Sequence, residues 1–214
     1  MSRNTTGSAR VWASRILIAV GLVCLGYYSV VTVHTWRFQR SAKARIDETV
    51  SIVRTPAARP ETNDAVKPLE VGEIIGRVDI PRLGLSAAVA EGDDDKTLGK
   101  AVGHLPDTPL PWQRQGNAAF AAHRDGLFRR LEGIRLNDDI RVVTSRGEFR
   151  YRVTKFHIVD PDDVWVIAAT ERPTLTLITC YPFSYIGNAP HRFIVKAELV
   201  DEPGGSALKG SVVR

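Results

Sequence analysis

The sequence predicts an all-β domain, a single barrel or sandwich of short strands, preceded by one apolar N-terminal helix. After residue 68 the apolar residues fall in short runs rich in Val, Ile, Thr and aromatics. Gly, Pro, Asp and Asn cluster between these runs, as they do in turns. The helix is indicated by an uncharged stretch at 16–33. A parallel α/β fold is excluded, because the helical patterns that would alternate with its strands are missing.

The predicted strands follow one another through the last two thirds of the chain. The runs with the strand pattern are GEIIGRVDI, SAAVAEG, NAAFAAH, DDIRVVTS, EFRYRVTKFHIV, TLTLITCY and HRFIVKAELV. The turn sequences between them are of the kind that joins antiparallel strands. Short helices are predicted near 96–100 and 127–133, and no internal repeat or second domain is found.

Positive charge is concentrated at the N-terminus. Residues 1–68 hold 10 Lys/Arg against 4 Asp/Glu, whereas residues 69–201 hold 17 against 19. The predicted domain is therefore slightly acidic, although the whole chain has a net charge of +5. A domain without a basic face gains little from releasing phosphate counterions, so no nucleic-acid partner is expected.

The uncharged stretch at 16–33 is long enough to cross a hydrocarbon core as a helix. Trp12 and Trp36 flank it, as interfacial indoles do. We predict an uncleaved transmembrane anchor. A core helix is disfavoured because nothing at the N-terminus would bury it, and a signal peptide because no clear cleavage site follows. The basic residues on both flanks leave the orientation open.

The chain divides into five predicted segments. These are an N-terminal stretch at 1–15, the anchor at 16–33, a juxtamembrane segment and flexible spacer at 34–68, the folded domain at 69–201 and a loose tail at 202–214. The spacer is predicted because RTPAARPETNDAVKP contains three prolines and few large apolar residues.

The two cysteines fall in different segments, Cys24 in the anchor and Cys180 in the domain, so they cannot pair within one chain. If the domain is exported, a free thiol in it has two explanations, catalysis and burial, and composition alone does not separate them. A catalytic thiolate needs a cationic or hydrogen-bonding neighbour. His123 and Arg192 stand at the ends of strand-like runs, as Cys180 does, and could supply one.

The segment TLTLITCYP at 174–182 resembles the sortase signature TLxTC, which ends at Cys180. Upstream, AAHRD at 121–125 resembles the sortase histidine segment, and Arg192 stands where the family's arginine follows in a last strand. The resemblance runs over about 70–200. HRD, DPDDVWV and CYPF are most similar to class D sortases. Alanine precedes the histidine where the family commonly has glycine.

This resemblance implies a closed β-barrel of eight strands, with residues 1–15 in the cytoplasm and the catalytic domain outside the cell membrane. It implies that Cys180 is the nucleophile, that His123 transfers protons and that Arg192 stabilises the oxyanion. The implied activity is a cysteine transpeptidase that cleaves an LPxTG-like sorting signal. The implied partners are exported proteins with a C-terminal sorting signal, an amine acceptor on a peptidoglycan peptide or a protein lysine, and membrane lipid around the helix. No cofactor is expected.

An acidic run could bind calcium, as a corresponding region does in some sortases, but solvated turn carboxylates are the commoner meaning of such a run. It consists of Glu91, Asp93, Asp94 and Asp95. The other histidines show no metal-ligand spacing, so no metal is expected. They are His34, His104, His157 and His191.

Two other functions remain open on sequence. A cysteine hydrolase would use the same three residues and pass the acyl group to water. A tethered β-barrel that binds peptides without cutting them would not need Cys180. An L,D-transpeptidase is disfavoured, because its Ser-His-Gly-Cys segment does not occur here.

Overall fold

A computed structural model describes residues 5–53, 69–113 and 116–201 of the 214-residue chain. The chain forms two compact units, Met1–Phe38 and Gln39–Arg214. The predicted spacer at 54–68 and the tail at 202–214 lie outside the described residues.

A single α-helix, α1, covers Thr5–Val53 and includes the predicted anchor at 16–33. The apolar side chains described in that stretch, such as Leu17 and Leu22, are exposed. Within residues 5–53, 69–113 and 116–201, none of the helices combines the length and the apolar character that a membrane span requires. The transmembrane assignment stays a prediction.

The domain is a closed eight-stranded β-barrel, which confirms the predicted fold. The strands are β1 (Ile74–Ile80), β2 (Leu85–Glu91), β3 (Val102–His104), β4 (Asn117–Ala121), β5 (Asp139–Thr144), β6 (Gly147–Val159), β7 (Thr174–Tyr181) and β8 (His191–Asp201). They close in the order β1-β2-β3-β4-β7-β8-β6-β5. The short helices are α2 (Asp95–Leu98) and the 3₁₀ helices η1 (Pro81–Leu83), η2 (Arg129–Gly133) and η3 (Val164–Ile167).

Two of the eight strand pairs differ from the antiparallel expectation. The pairs β2/β3 and β4/β7 are parallel, and the other six are antiparallel. Parallel neighbours need a crossover connection, which α2 helps to provide between β2 and β3. Strand β3 was not predicted because it is only three residues long. At Gly103 in β3 a Cβ would lie 2.3 Å from the Gly92 carbonyl oxygen, so only glycine allows this close approach.

The barrel interior is the hydrophobic core. Strand β7 contributes Leu175 and Leu177, and β8 contributes Val195 and Ala197, all fully buried. Successive residues of a strand point to opposite faces, so the residues between these point out of the barrel.

A second, smaller apolar cluster lies on that outer face. Val159, Val166 and Ile194 are its buried members, and Ile167 and Ile178 pack against them. Helix η3 therefore covers part of the outer surface of β7 and β8. We call the outward-pointing side chains of these two strands the site face.

Candidate active site

Cys180 and Arg192 are direct cross-strand partners in the antiparallel pair β7/β8. Leu177, three residues before Cys180, and Val195, three residues after Arg192, both point into the core. Residues an odd number of positions apart on a strand point to opposite faces. Cys180 and Arg192 therefore both belong to the site face. Both are half-buried, and directly opposed residues have Cβ atoms about 4.5–5.5 Å apart.

His123 is brought to the same place by the parallel pair β4/β7. Ala121 pairs with Ile178, and the Ala122 amide donates to the Ile178 carbonyl over 3.2 Å. Continuing this register by two residues places His123 level with Cys180. The strand ends at Ala121, so His123 is exposed at the start of a turn rather than at the end of a strand as predicted.

The turn after β4 is organised around the backbone of His123. Its carbonyl oxygen accepts hydrogen bonds from the amides of Gly126 and Phe128, over 3.2 and 3.3 Å. Phe128 is fully buried in the core. The turn that carries the imidazole is therefore anchored to the barrel.

Thr179 joins the histidine and cysteine segments. Its buried hydroxyl donates a 2.8 Å hydrogen bond to the carbonyl oxygen of Ala122. The sequence left Thr179 open between a supporting role and an ordinary strand residue, and this bond gives it a positioning contact. Ala122 is itself buried, and Asn137 is the only non-glycine of the described residues with a positive φ. The methyl group of Ala122 is thus accommodated without left-handed backbone.

Arg124 is a positioning residue that the sequence analysis did not single out. It is 5% exposed, and its guanidinium donates to the carbonyl oxygens of Pro182 over 2.9 Å and Gly187 over 3.4 Å. It also contacts the carboxylate of Asp125 at 3.2 Å. Arg124 follows His123 directly, so these bonds fix the histidine turn to the β7–β8 loop. HRD was visible in the sequence, but the carbonyls that Arg124 binds were not.

The β7–β8 loop has further contacts. Arg129 donates to the carbonyl oxygen of Phe183. Arg192 donates to the carbonyl oxygens of His191, over 3.1 Å, and Ala189, over 3.4 Å. These bonds fix the base of the loop and hold the Arg192 guanidinium against the loop backbone.

The inner side of the strands behind the site is filled by aromatic rings. Phe183 lies 5.4 Å from Phe193 and 6.0 Å from Tyr181, and Phe156 stacks on Phe193 at 5.9 Å. Such pairs contribute about 0.5–1.5 kcal/mol each beyond their buried area. The strands that carry Cys180 and Arg192 are therefore backed by packed aromatic side chains.

The arrangement places a thiol, an imidazole and a permanent cation on one edge of the barrel. Among the described residues, neither the thiol of Cys180 nor the imidazole of His123 forms a hydrogen bond. Both groups are free to meet a substrate. A nucleophile, a proton-transfer group and a cation for the oxyanion are the parts that acyl transfer requires.

The acidic run near α2 has structural partners. The carboxylate of Glu91 is buried and lies 2.7 Å from Nδ1 of His104. Asp94 caps α2 by accepting from the amides of Lys96 and Thr97, over 3.0 and 3.2 Å. Within the described ranges, no group of three or more His, Cys, Asp or Glu side chains is placed to hold a metal ion.

Comparison with known proteins assigns the family. The family model of the sortase domain matches residues 78–200. The chain is 35% identical over 191 residues to sortase D of Bacillus subtilis, covering 86% of this chain and 96% of that protein. It is 26% identical to sortase A of Bacillus anthracis, over 62% of each chain. The chain belongs to the sortase family, whose members are cysteine transpeptidases.

Solved structures show the same fold. A sortase D5 transpeptidase of Clostridium perfringens has a TM-score of 0.59 at 23% identity, covering 77% of this chain and 97% of that one. Sortase C of Clostridium perfringens SM101 has a TM-score of 0.58 at 21% identity, covering 76% and 89%. At these identities the likeness is one of fold.

Proposed function

We propose that this sortase is a membrane-anchored transpeptidase that cleaves an LPxTG-like sorting signal through a thioacyl enzyme on Cys180. The observation that carries the proposal is the pairing register, in which Cys180 and Arg192 are cross-strand partners and His123, two residues after β4, is level with Cys180. The resemblance of the segments around all three residues to sortase motifs supports the same roles.

In the first step the Cys180 thiolate attacks the carbonyl carbon of the signal's threonine. Arg192 stabilises the negative charge that develops on the carbonyl oxygen, a role that its permanent positive charge suits. The carbon–nitrogen bond to the next residue then breaks. His123 gives a proton to the departing amine, and the acyl group remains on sulfur as a thioester.

In the second step a primary amine attacks the thioester carbon. His123 takes a proton from the attacking nitrogen, the carbon–sulfur bond breaks, and the thiolate of Cys180 is restored. The product has a new amide bond in place of the old one. The amine comes from a peptidoglycan peptide or from a lysine of another protein.

The anchor proposal rests on the uncharged run at 16–33 and its flanking tryptophans. With residues 1–15 in the cytoplasm, the barrel lies outside the membrane, where exported proteins present their sorting signals. Membrane lipid surrounds the helix in this arrangement. The similarity to sortase D of Bacillus subtilis over most of both chains supports a substrate of the sorting-signal class.

The test is product analysis with the full-length chain, an LPxTG-like peptide and either triglycine or diaminopimelate as the amine. We expect ligated peptide that increases with amine concentration at constant peptide cleavage. Cleavage that yields only the free acid at every amine concentration would instead indicate a hydrolase. Peptide binding without cleavage across a library of sorting peptides would indicate the non-enzymatic module.

A further inference from the structure

The segment between β6 and β7, residues 160–173, is held against the barrel by a polar cluster remote from the thiol. Asn117 on β4 and Thr176 on β7 are both fully buried. The Thr176 hydroxyl donates to the side-chain oxygen of Asn117 over 2.5 Å. The Asn117 amide nitrogen then donates to the carbonyl oxygens of Val166, over 3.0 Å, and Ala168, over 3.1 Å.

Lys196 on β8 completes this cluster. Its ammonium donates to the carbonyl oxygen of Val166, the same acceptor that Asn117 uses. Thr176 and Lys196 are cross-strand partners, so the three polar side chains come from three adjacent strands. A carbonyl oxygen has two lone pairs, and here both are occupied.

Lys196 is an unusual residue for this position. It is half-buried, and no ion pair joins it to a carboxylate in the part of the chain that the structure describes. Burial lowers its pKa to about 8. Placing an ammonium there costs free energy, and its one polar contact among the described residues is the backbone of η3.

The cluster lies at one end of a row on the site face. Along β7 the outward positions are Thr176, Ile178 and Cys180. At about 3.3 Å per residue, Thr176 is about 13 Å from Cys180. Between them, Ile178 and Ile194 pack under Val166 and Ile167 of η3. These residues are covered by η3, whose Val164 and Trp165 side chains are exposed. An extended peptide whose carbonyl meets the thiol, and whose preceding residues run along the site face, would therefore contact η3.

We infer that Lys196 is a positioning residue whose ammonium, with the Asn117 amide, holds η3 against the site face and so determines how tightly the apolar residues of a sorting peptide bind. This inference rests on the proposed function for its substrate class. Lys196 does not touch the reacting atoms. Its removal therefore affects peptide binding more than the chemical step.

The test compares Lys196→Met with Lys155→Met in the full-length chain. Lys155 is the exposed cross-strand neighbour of Lys196 on β6, so the control removes the same charge from the adjacent position. We expect Lys196→Met to raise KM for the sorting peptide about tenfold, the typical effect of losing one charge-assisted hydrogen bond, with kcat nearly unchanged. Lys196→Arg, which keeps the charge and the donors, is expected to restore most of the affinity.

A second readout does not depend on turnover. Amide hydrogen exchange at 163–168 should become faster in Lys196→Met and remain as in wild type in Lys155→Met, because the backbone bonds of η3 then open more often. Equal exchange in the two variants, or an unchanged KM, overturns the inference. If wild type forms no acyl enzyme the proposed function fails, and exchange alone still decides the role of Lys196. If Lys196→Met does not fold, Lys196→Gln serves in the same comparison.

Discussion

The two faces of β7 differ in what their side chains contact. Leu175, Leu177 and Thr179 point inward, where they pack in the core or bond to the histidine segment. Thr176, Ile178 and Cys180 point outward, toward η3 and the open edge of the site. One strand therefore alternates residues that pack in the barrel with residues that face η3 or the candidate site. Substitutions at consecutive positions should separate stability from activity.

The largest effect on stability is expected from the inward face. Leu177→Ala should lower the free energy of unfolding by about 2–5 kcal/mol, because Leu177 is fully buried and its loss leaves a cavity. Turnover per folded molecule should stay near that of wild type. Chemical denaturation checks the first expectation. Ile178→Ala is the matched control on the outward face, and a larger stability loss there than at Leu177 would contradict the assignment of faces.

The largest effect on activity is expected at Arg192. Arg192→Ala should fold normally and lose about 10²–10³ in kcat, the usual cost of removing an oxyanion donor. Steady-state kinetics and circular dichroism measure the two properties together. Arg192→Lys keeps the charge without the fork of donors and should recover only part of the rate. Full turnover in Arg192→Ala would remove Arg192 from the mechanism.

A smaller effect is expected at Thr179, whose hydroxyl links the cysteine strand to the histidine turn. Thr179→Val keeps the shape and removes the bond to the Ala122 carbonyl, which should cost about 1–3 kcal/mol because that carbonyl loses a partner. We expect the rate of thioester formation to fall while alkylation of Cys180 by iodoacetamide is unchanged. A Thr179→Val enzyme with wild-type kinetics would show that the bond does not position His123.

The smallest effect is a pH dependence far from the site. The hydrogen bond from Arg82, at 2.5 Å, lowers the pKa of Asp138. A carboxyl whose folded pKa is depressed adds stability above its unfolded pKa, about 3.9, and this stability is lost as pH falls through the folded value. The melting temperatures of wild type and Arg82→Ala should therefore differ at pH 7 and converge in acid. A difference that persists unchanged at pH 2 would contradict this linkage.

Much of the barrel could be predicted because its strands are long enough to show a pattern. Seven of the eight strands coincide with runs of β-branched and aromatic residues. Strand β3 was not predicted because three residues are too few to show an alternating pattern. The two parallel pairs were not predicted because turn sequences mark where strands end and do not show which strands become neighbours. Helix η3 was missed since VWVI resembles a strand fragment.

The candidate site shows the same limit. Cys180, His123 and Arg192 were identified by motif, since each lies in a recognisable segment. Their convergence depends on the registers of β4/β7 and β7/β8, which no local pattern encodes. Arg124 and Lys196 were missed for a related reason: each binds backbone carbonyls of a distant segment, and a carbonyl has no sequence signature.

If Cys180 is the nucleophile of this sortase, an LPxTG-like peptide should leave its acyl group on the Cys180 sulfur. The intact mass of the full-length chain after incubation with that peptide, for wild type, Cys180→Ala and Cys24→Ala, detects this adduct. We expect an acyl adduct on wild type and Cys24→Ala, mapped to Cys180 by peptide sequencing, and none on Cys180→Ala. An adduct that persists in Cys180→Ala, or no adduct on wild type with any sorting peptide that it cleaves, would show that Cys180 is not the nucleophile.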